Sequence, residues 1–429
     1  MAYVADLHIH SRFSRACSSA INVPNLAHWA KLKGIDLLGT GDFLHPLWQN
    51  ELKANLKELG TGFFEYDGVK FLLTCEISCI YTDRGKSHRI HIVVMLPSLE
   101  AVQKLSSELL KRKINLASDG RPITGFSAQQ LTEIVFTAEP QAIVIPAHIW
   151  TPWFSLFGSE SGYDSFTDCF GSFSEKILGV ETGLSSEPEM NWRVGGLDQK
   201  AILSFSDAHS LPNLGREATI FKGDLRYGQL REDLKAQNIL GTIEFFPEEG
   251  KYHYSGHRNC GVVYSPEELK EKGEICPNCG RRLTVGVMQR VEKLATRTEN
   301  DLKLVKENGV TKSGAFPSRP GFRMLVGLEK IIAESLGMTT ASQKVKNEYE
   351  KLVLNLDNEL MILTKTTLSD IAQYAGERVA EGVKRVREGK LTIKPGFDNT
   401  YGVISIWGEE SSQTRDPSSA KIDQKGLFD

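Results

Sequence analysis

Through about residue 245 the chain alternates short apolar runs with stretches whose apolar residues recur at helical spacing. IDLLGTGDF, KFLLTCEISCI, RIHIVVML, QAIVIPAHI, KILGVETG and AILSFSDAH each read as a strand closing on polar or small residues. NVPNLAHWAKLKG, SLEAVQKLSSELLKRK and FSAQQLTEIVF, lying between them, carry the period of a helix. Strands alternating with helices predict an α/β fold with a mainly parallel sheet or barrel, whose chemistry gathers at the carboxyl ends of the strands. Farther on, SRPGFRMLVGLEKIIAESLG and TLSDIAQYAGERVAEGVKRVREGKLTIKPGFDNTYG read as helices with basic edges. The final SSQTRDPSSAKIDQKGLFD lacks the apolar content for a core and reads as a flexible tail.

The strand ends carry an unusual set of side chains. The first apolar run closes on DLHIH, where period-two alternation aims His8, His10 and Asp6 at one side. The later ends bring Asp42 in TGDF, Glu76 in LTCEIS, His91 in RIHIVV, His148 in IPAHIW, and Asp207 with His209 in SFSDAHS. Strands are poor in Asp and Glu and seldom bury histidine unpaired, so independent core histidines explain this series less well than a multinuclear metal site. Paired ions can deprotonate water, polarise phosphoryl oxygens and neutralise a leaving oxygen, which suits phosphoester hydrolysis, with Glu76 as the bridging ligand and Glu76 and Asp207 at the centre of the chemistry. Arg12, Arg15 and Arg216 are candidate phosphate contacts. His28 reads as structural, and His45 and His88 as contacts outside the ligand set.

A second metal signature lies in HYSGHRNCGVVYSPEELKEKGEICPNCGRR. His257-x2-Cys260 and Cys276-x2-Cys279 form two chelating pairs, each followed by a glycine that permits a tight turn. A structural zinc ion in a ribbon is expected there, with His253 a less well placed alternative to His257. Three of the seven cysteines crowd into residues 260–279, which suits metal binding in a reducing compartment better than a disulfide framework.

At 429 residues, 40% hydrophobic and 24% charged, the chain has material for two or three globular domains. No apolar run approaches the roughly 18 residues of a membrane span and no secretory leader opens the sequence, so a cytoplasmic protein is expected. The net charge of −3 excludes a uniformly basic nucleic-acid binder, yet residues 281–400 hold 21 Lys and Arg against 15 Asp and Glu, a surplus of six. That asymmetry hints at a module facing nucleic acid. Arg378, Lys384, Arg385 and Arg387 on the last helix are its candidate phosphate contacts.

DLHIHS, TGDF, the Glu76 strand, His91, His148 and SDAH, in this order, resemble the polymerase and histidinol phosphatase (PHP) domain family. The resemblance implies a distorted seven-stranded (β/α) barrel with two or three divalent ions (Zn, Mn or Mg). It puts His8, His10, Glu76 and Asp207 on one ion, Glu76, His91 and His148 on a second, and Asp42 and His209 on a third. Two positions depart from the pattern: Asp42 stands where many members have histidine, and Ala16 stands six residues after His10 where another histidine is common.

A barrel over residues 1–250, a zinc ribbon over 251–288, a basic helical region over 289–408 and a tail over 409–429 resemble the organisation of the endonuclease Q family, with HIWTPWFSLFGSESGYDS and GLSSEPEMNW as supporting stretches. That resemblance implies a DNA repair endonuclease cutting 5′ of deoxyinosine, deoxyuridine or an abasic site. Trp150 and Trp153, in the aromatic loop after His148, are then candidates for stacking on displaced bases. Gln424, Leu427 and Phe428 resemble the QxxLF peptide that docks on the replication sliding clamp. Rival readings are a phosphatase or exonuclease, which leaves the ribbon and basic helices without purpose, and a non-catalytic clamp-associated adaptor, which ligand erosion would signal.

Overall fold

A computed structural model describes residues 2–408. Strand β1 (Ala2–Asp6) lies parallel to β2 (Leu37–Gly39), Ala5 opposite Leu37, and β2 lies parallel to β3 (Val69–Asp83). β3 turns back into β4 (Lys86–Leu96), and β4 pairs antiparallel with β5 (Ile143–Pro146). β6 (Gly179–Glu181) and β7 (Ala201–Leu203) form a parallel pair. Two junctions join that pair to the rest: Ile149 N donates to Glu181 O at 3.1 Å, and His10 N donates to Ala208 O at 3.0 Å. The hydrogen bonds thereby run around a ring that returns to β1.

The fold is mixed α/β, but the sheet is less parallel than the alternation predicts. β3 and β4 are an antiparallel hairpin over eleven residue pairs, from Leu73 opposite Leu96 to Asp83 opposite Lys86. Its turn is Arg84-Gly85, both with positive φ (48° and 79°), the conformation that suits a two-residue connection between twisted strands and leaves no chain for a crossover helix. Glu76 and His91 therefore sit within long strands rather than at their ends. Because Ser78 faces His91 and Glu76 is two residues from Ser78, both side chains point to the same face as Leu72 and Val93.

One buried cluster, with Tyr3, Leu37, Leu72, Val93, Ile145 and Leu203, draws on β1 to β5 and on β7. A larger one packs them against helices α1 (Val23–Lys33), α2 (Leu99–Lys111) and α3 (Ala128–Ala138), each opened by a side-chain cap, from Asn22, Ser98 and Ser127 respectively.

Antiparallel β8 (Ala218–Lys222) and β9 (Ile239–Glu244) extend the sheet beyond β1. The span read as wholly helical first adds three strands: β10 (Leu304–Glu307), β11 (Val310–Ser313) and β12 (Gly321–Met324), the last parallel to β9. GFRM joins the sheet, so the helix expected from Arg319 onward begins at α4 (Leu328–Leu336). Helices α5 (Gln343–Asn355), α6 (Glu359–Thr364), α7 (Leu368–Ala375) and α8 (Glu377–Glu388) share one apolar cluster with Val4, Ile220 and Ile243. A buried ion pair, Lys33 to Glu359, ties α1 to α6, and Tyr349 Oη and Leu328 N also donate to Glu359. Among the described residues no helix is long and apolar enough to cross a membrane.

Candidate metal centre

Glu76 is the hub of a buried cluster. Its Oε1 lies 2.7 Å from His91 Nδ1 and 3.1 Å from His148 Nε2, and its Oε2 lies 3.4 Å from His10 Nε2. Asp207 Oδ1 stands 3.1 Å from His10 Nε2 and 3.6 Å from His8 Nε2. Ligand atoms of His8, His10 and Glu76, of His10, Asp207 and His209, and of Glu76, His91 and His148 form three groups, each within 4.8 Å.

The donors fit small divalent ions. Two ligands held about 2.1 Å from a tetrahedral ion lie roughly 3.4 Å apart, close to most of the separations above. His8 Nε2, His10 Nε2 and Asp207 Oδ1 are buried without a hydrogen-bond partner, a state seldom left uncompensated. The electrostatics agree. Burial opposes charge on every member, yet Glu181, Asp207 and Glu76 hold His8 well above the usual imidazole range, and Asp42 and Asp207 do so for His10. Burial likewise pushes Asp207 and Glu76 up, and the neighbouring imidazoles outweigh it, holding both carboxyls low. Burial takes His91 and His209 down to about 4.

The rings are held from behind. His8 Nδ1 lies 2.9 Å from both Glu181 oxygens, so its Nε2 is the atom presented to the cluster, and Glu181 Oε2 also accepts the His148 amide at 2.8 Å. Asp42 holds His10 in the same way through Nδ1, at 3.1 Å. Asp42 Oδ2 accepts Ser11 N, Ser11 Oγ and Ser14 Oγ at 2.6 to 2.9 Å. Asp42 is no member of the three donor groups: its Oδ2 is taken by the turn after His10 and its Oδ1 faces His10 Nδ1. Asp6 accepts the Ser206 and Gly215 amides and fixes the loop bearing Asp207 and His209. Asp42, His148 and Asp207 have φ of 49°, 26° and 46°, left-handed conformations that cost about 1–3 kcal/mol each in non-glycine residues and concentrate at functional sites.

The carboxyl-terminal helices, residues 327–390, match the family model described as the MJ0043 C-terminal domain. The uncharacterized protein YqxK of Bacillus subtilis is 29% identical over 423 residues, covering 93% of this chain and 98% of its own. The crystal structure of the lesion-specific endonuclease PfuEndoQ from Pyrococcus furiosus is 33% identical, covers 97% of this chain and 98% of its own, and superposes with a TM-score of 0.81. A structure of endonuclease Q with a 27-mer duplex bearing an abasic lesion at the active site is 32% identical, covers 98% of this chain and all of its own, and has a TM-score of 0.80. The chain belongs to the endonuclease Q family. It is an enzyme, a metal-dependent phosphodiesterase, and the buried donor cluster is where this family member can hold its ions.

His257, Cys260, Cys276 and Cys279 come together as the spacing predicts, within 4.8 Å of one another, with Cys279 Sγ 3.3 Å from His257 Nδ1. The set fits a tetrahedral zinc ion. Gly261 and Gly280 have φ of 65° and 70°, so the two turns use the left-handed region that favours glycine. His253 lies outside the set, its ring buried and pushed down to about 4 by that burial.

The residues chosen for nucleic acid fare differently. Arg12 is paired with Glu51 and donates to Ile21 O. Half-buried Arg216 donates to the Ser206 and Asp207 carbonyls and braces the Asp207 turn. Only Arg15 of these three is largely exposed. Trp150 is fully buried with its indole N–H on Asn191, so it is core rather than a stacking platform. Trp153 is half-buried beside Tyr252.

Arg387 donates to the carbonyls of Leu363, Ile362 and Thr366 and closes the end of α6. Arg378 and Arg385 lie over the Trp407 ring at 4.1 and 4.7 Å. Lys384 keeps a partly exposed head near Glu381. Long basic side chains on an amphipathic edge thus serve the helix packing. His28 is exposed, His45 stacks on Phe13, and His88 stacks between Tyr81 and Tyr163, all outside the cluster.

Sequence reasoning missed Glu181 and Arg121. Glu181 ends the strand read in KILGVETG, so the strand-end rule that found Glu76 also pointed to it. Arg121 Nη1 lies 3.1 Å from Glu76 Oε2, and its loop has no periodicity to flag it. The motif Gln424, Leu427 and Phe428 lies outside the described residues.

Proposed function

We propose that this protein is a DNA repair endonuclease that hydrolyses the phosphodiester 5′ of a damaged nucleotide, with deoxyinosine, deoxyuridine and abasic sites as substrates. The observation that carries the reading is full-length similarity to an endonuclease Q bound to abasic-lesion DNA, in a chain whose own ligand cluster is intact. The finer assignments belong to the same proposal: a distorted seven-stranded PHP barrel over residues 1–250, a zinc ribbon over 251–288, a DNA-facing region over 289–408, a clamp-binding peptide in 409–429, and a cytoplasmic location.

Bound ions would lower the pKa of water and neutralise charge on the phosphoryl and leaving oxygens. His8, His10, Glu76, Asp207, His91 and His148 would hold them. Glu181 and Asp42 keep His8 and His10 in the tautomer that presents Nε2, and the strained turns at His148 and Asp207 aim those side chains inward. Lifting a damaged nucleotide from the stack costs a few kcal/mol, least at mismatched or abasic positions, which supplies part of the selectivity. Trp153, on the loop after His148, is the remaining aromatic candidate for filling the gap.

The test is cleavage of end-labelled duplexes with one internal deoxyinosine, deoxyuridine or abasic site, against an undamaged control, with Mg2+ or Mn2+ and with Asp207→Ala alongside. A discrete nick 5′ of the lesion, absent from the control and the variant, is the expected result. Digestion from the ends would replace the proposal with an exonuclease, and binding without cutting would replace it with an adaptor.

A further inference from the structure

We propose that Arg121 is the third cationic group of a two-ion centre and takes an oxygen of the substrate phosphoryl group. The inference rests on the reading of the site as a phosphoesterase centre and deepens it.

The ion count follows from the donors. An imidazole nitrogen has one lone pair, and His10 commits Nδ1 to Asp42, so only Nε2 can bind an ion. His10 belongs both to the group with His8 and Glu76 and to the group with Asp207 and His209, and the two groups cannot be filled together. Glu76 has two oxygens and can serve both its own groups, its Oε1 facing His91 and His148 and its Oε2 facing His10. Two ions therefore exhaust the set. What remains at the third corner is His209, whose Nδ1 lies 2.9 Å from Asp207 O, because Asp42 gives Oδ2 to Ser11 and Ser14 and Oδ1 to His10 and belongs to none of the donor groups.

Arg121 reaches the cluster at Glu76 Oε2, the oxygen that also faces His10. Its charge interacts with Glu76, Asp207 and Asp119, and it acts on His209 in turn. Among the described residues it is the one Lys or Arg paired with a carboxylate of the three donor groups. The contact with Glu76 uses Nη1 and is the only side-chain hydrogen bond of Arg121 among the described residues, which leaves donors of the guanidinium fork for another acceptor. The side chain is 19% exposed, so it reaches the cluster from its open side while Glu76 is fully covered.

The loop holds it rigidly. The Arg121 amide donates to Asp119 Oδ1, Gly120 N donates to Phe13 O at 2.9 Å, and Pro122 O accepts Ser78 N at 3.0 Å. A Cβ on Gly120 would fall 2.3 Å from Asp42 Oδ2, so this loop packs directly on the carboxylate that orients His10. Arg12 and Arg216 are committed to other partners, so Arg121 is the arginine placed for a planar, charge-assisted contact to a phosphoryl oxygen.

The full-length chain loaded with Mn2+ tests this, with tetrad zinc counted separately by elemental analysis. Two manganese ions per chain are expected in the wild type, in R121Q and in R121K. Orthophosphate affinity of the loaded protein, measured by calorimetry, should fall about 10- to 100-fold in R121Q and less in R121K. Three manganese ions in the wild type, loss of an ion in R121Q, or unchanged phosphate affinity would each overturn the proposal, and thermal melting shows that the variants are folded. Neither readout uses DNA. A chain that binds two ions and phosphate as stated but fails to nick lesion duplexes would lose the endonuclease reading alone.

Discussion

The two candidate metal centres are built by opposite strategies. In the barrel cluster the donors hang on or just beyond strands, are buried, and are held by groups that bind no ion: Glu181 behind His8, Asp42 behind His10, Asp6 beneath the Asp207 loop. The tetrad at residues 257–279 sits on turns around a two-stranded ribbon (Ser255–His257 and Val262–Tyr264). Its buried apolar cluster is Val262, Leu269, Cys276 and Leu283, and Cys279 is exposed. The first arrangement is braced by protein hydrogen bonds that involve no ion. The second has too small a core to stand without one, so there the ion is a structural element.

Removing one ligand from each centre gives the largest contrast. Asp207→Ala should lower lesion cleavage roughly 10³-fold or more, the several kcal/mol that ions at developing charge supply. Its melting temperature should change little beside that, because the core beneath the cluster does not depend on one of its carboxylates. Cys276→Ala should do the reverse. Zinc is lost, amide exchange rises across residues 253–284, and the strands around the cluster keep their protection. Protection lost throughout the chain would show that the tetrad is not a local module.

Next in size are the groups that hold the rings. Glu181→Gln and Asp42→Asn keep shape but weaken the acceptor behind His8 or His10, and each should cost about 10- to 100-fold in barrel ion affinity, read by competition with a chelator. Zinc at the tetrad should be untouched. An unchanged barrel affinity in both variants would mean that the ions orient the rings unaided, and the contrast between the centres would collapse.

Acid should separate the centres as well. His8 and His10, raised by their carboxylates, hold protons more tightly than a free imidazole, so ions must displace them and barrel loading weakens as pH falls. Burial pushes the Cys276 thiol up, but the Asn278 amide, the His257 ring and the Cys279 amide outweigh it and bring it down to about 6. A group whose folded pKa lies below its unfolded value contributes above the latter and loses that contribution as pH falls through the former. Cys276 therefore remains a thiolate to about pH 6, while Cys260, pushed up to about 11 by burial and the neighbouring thiols, must yield its proton to the ion. Metal counts after dialysis from pH 8 to pH 5 should show the barrel emptying first.

What could be read in advance divides along the same line. The cluster residues His8, His10, Glu76, His91, His148, Asp207 and His209 were legible because each sits in or after an apolar run, and the tetrad because its spacing is short and local. The roles of Asp42 and Arg121 were not, since they depend on which way a side chain turns once distant loops meet: Gly120 packs on Asp42, and Arg121 arrives from a segment without periodicity. The antiparallel Leu73–Leu96 pairing rests on the two-residue Arg84-Gly85 turn, which apolar runs alone do not reveal. The basic edge of α8 was ambiguous for a related reason. A basic edge looks the same in sequence whether it faces phosphates or, as with Arg387, the carbonyls that end a neighbouring helix.

Backbone strain supplies the smallest test. In the barrel, left-handed φ values fall on Asp42, His148 and Asp207, whose side chains are indispensable there, and the surrounding core sustains the cost. At the tetrad the same conformation falls on Gly261 and Gly280, and a Cβ at either would meet nothing within 4 Å. Space is therefore no obstacle to Gly280→Ala, and only the left-handed backbone penalises it, by about 1 kcal/mol. Since folding of this segment and zinc binding are one equilibrium, that penalty should appear as a roughly fivefold weaker zinc affinity with lesion cleavage unchanged. A far larger loss would mean that Gly280 is pinned by a contact beyond its own φ, and no loss would mean that the turn relaxes, leaving the tetrad more adaptable than the strained barrel.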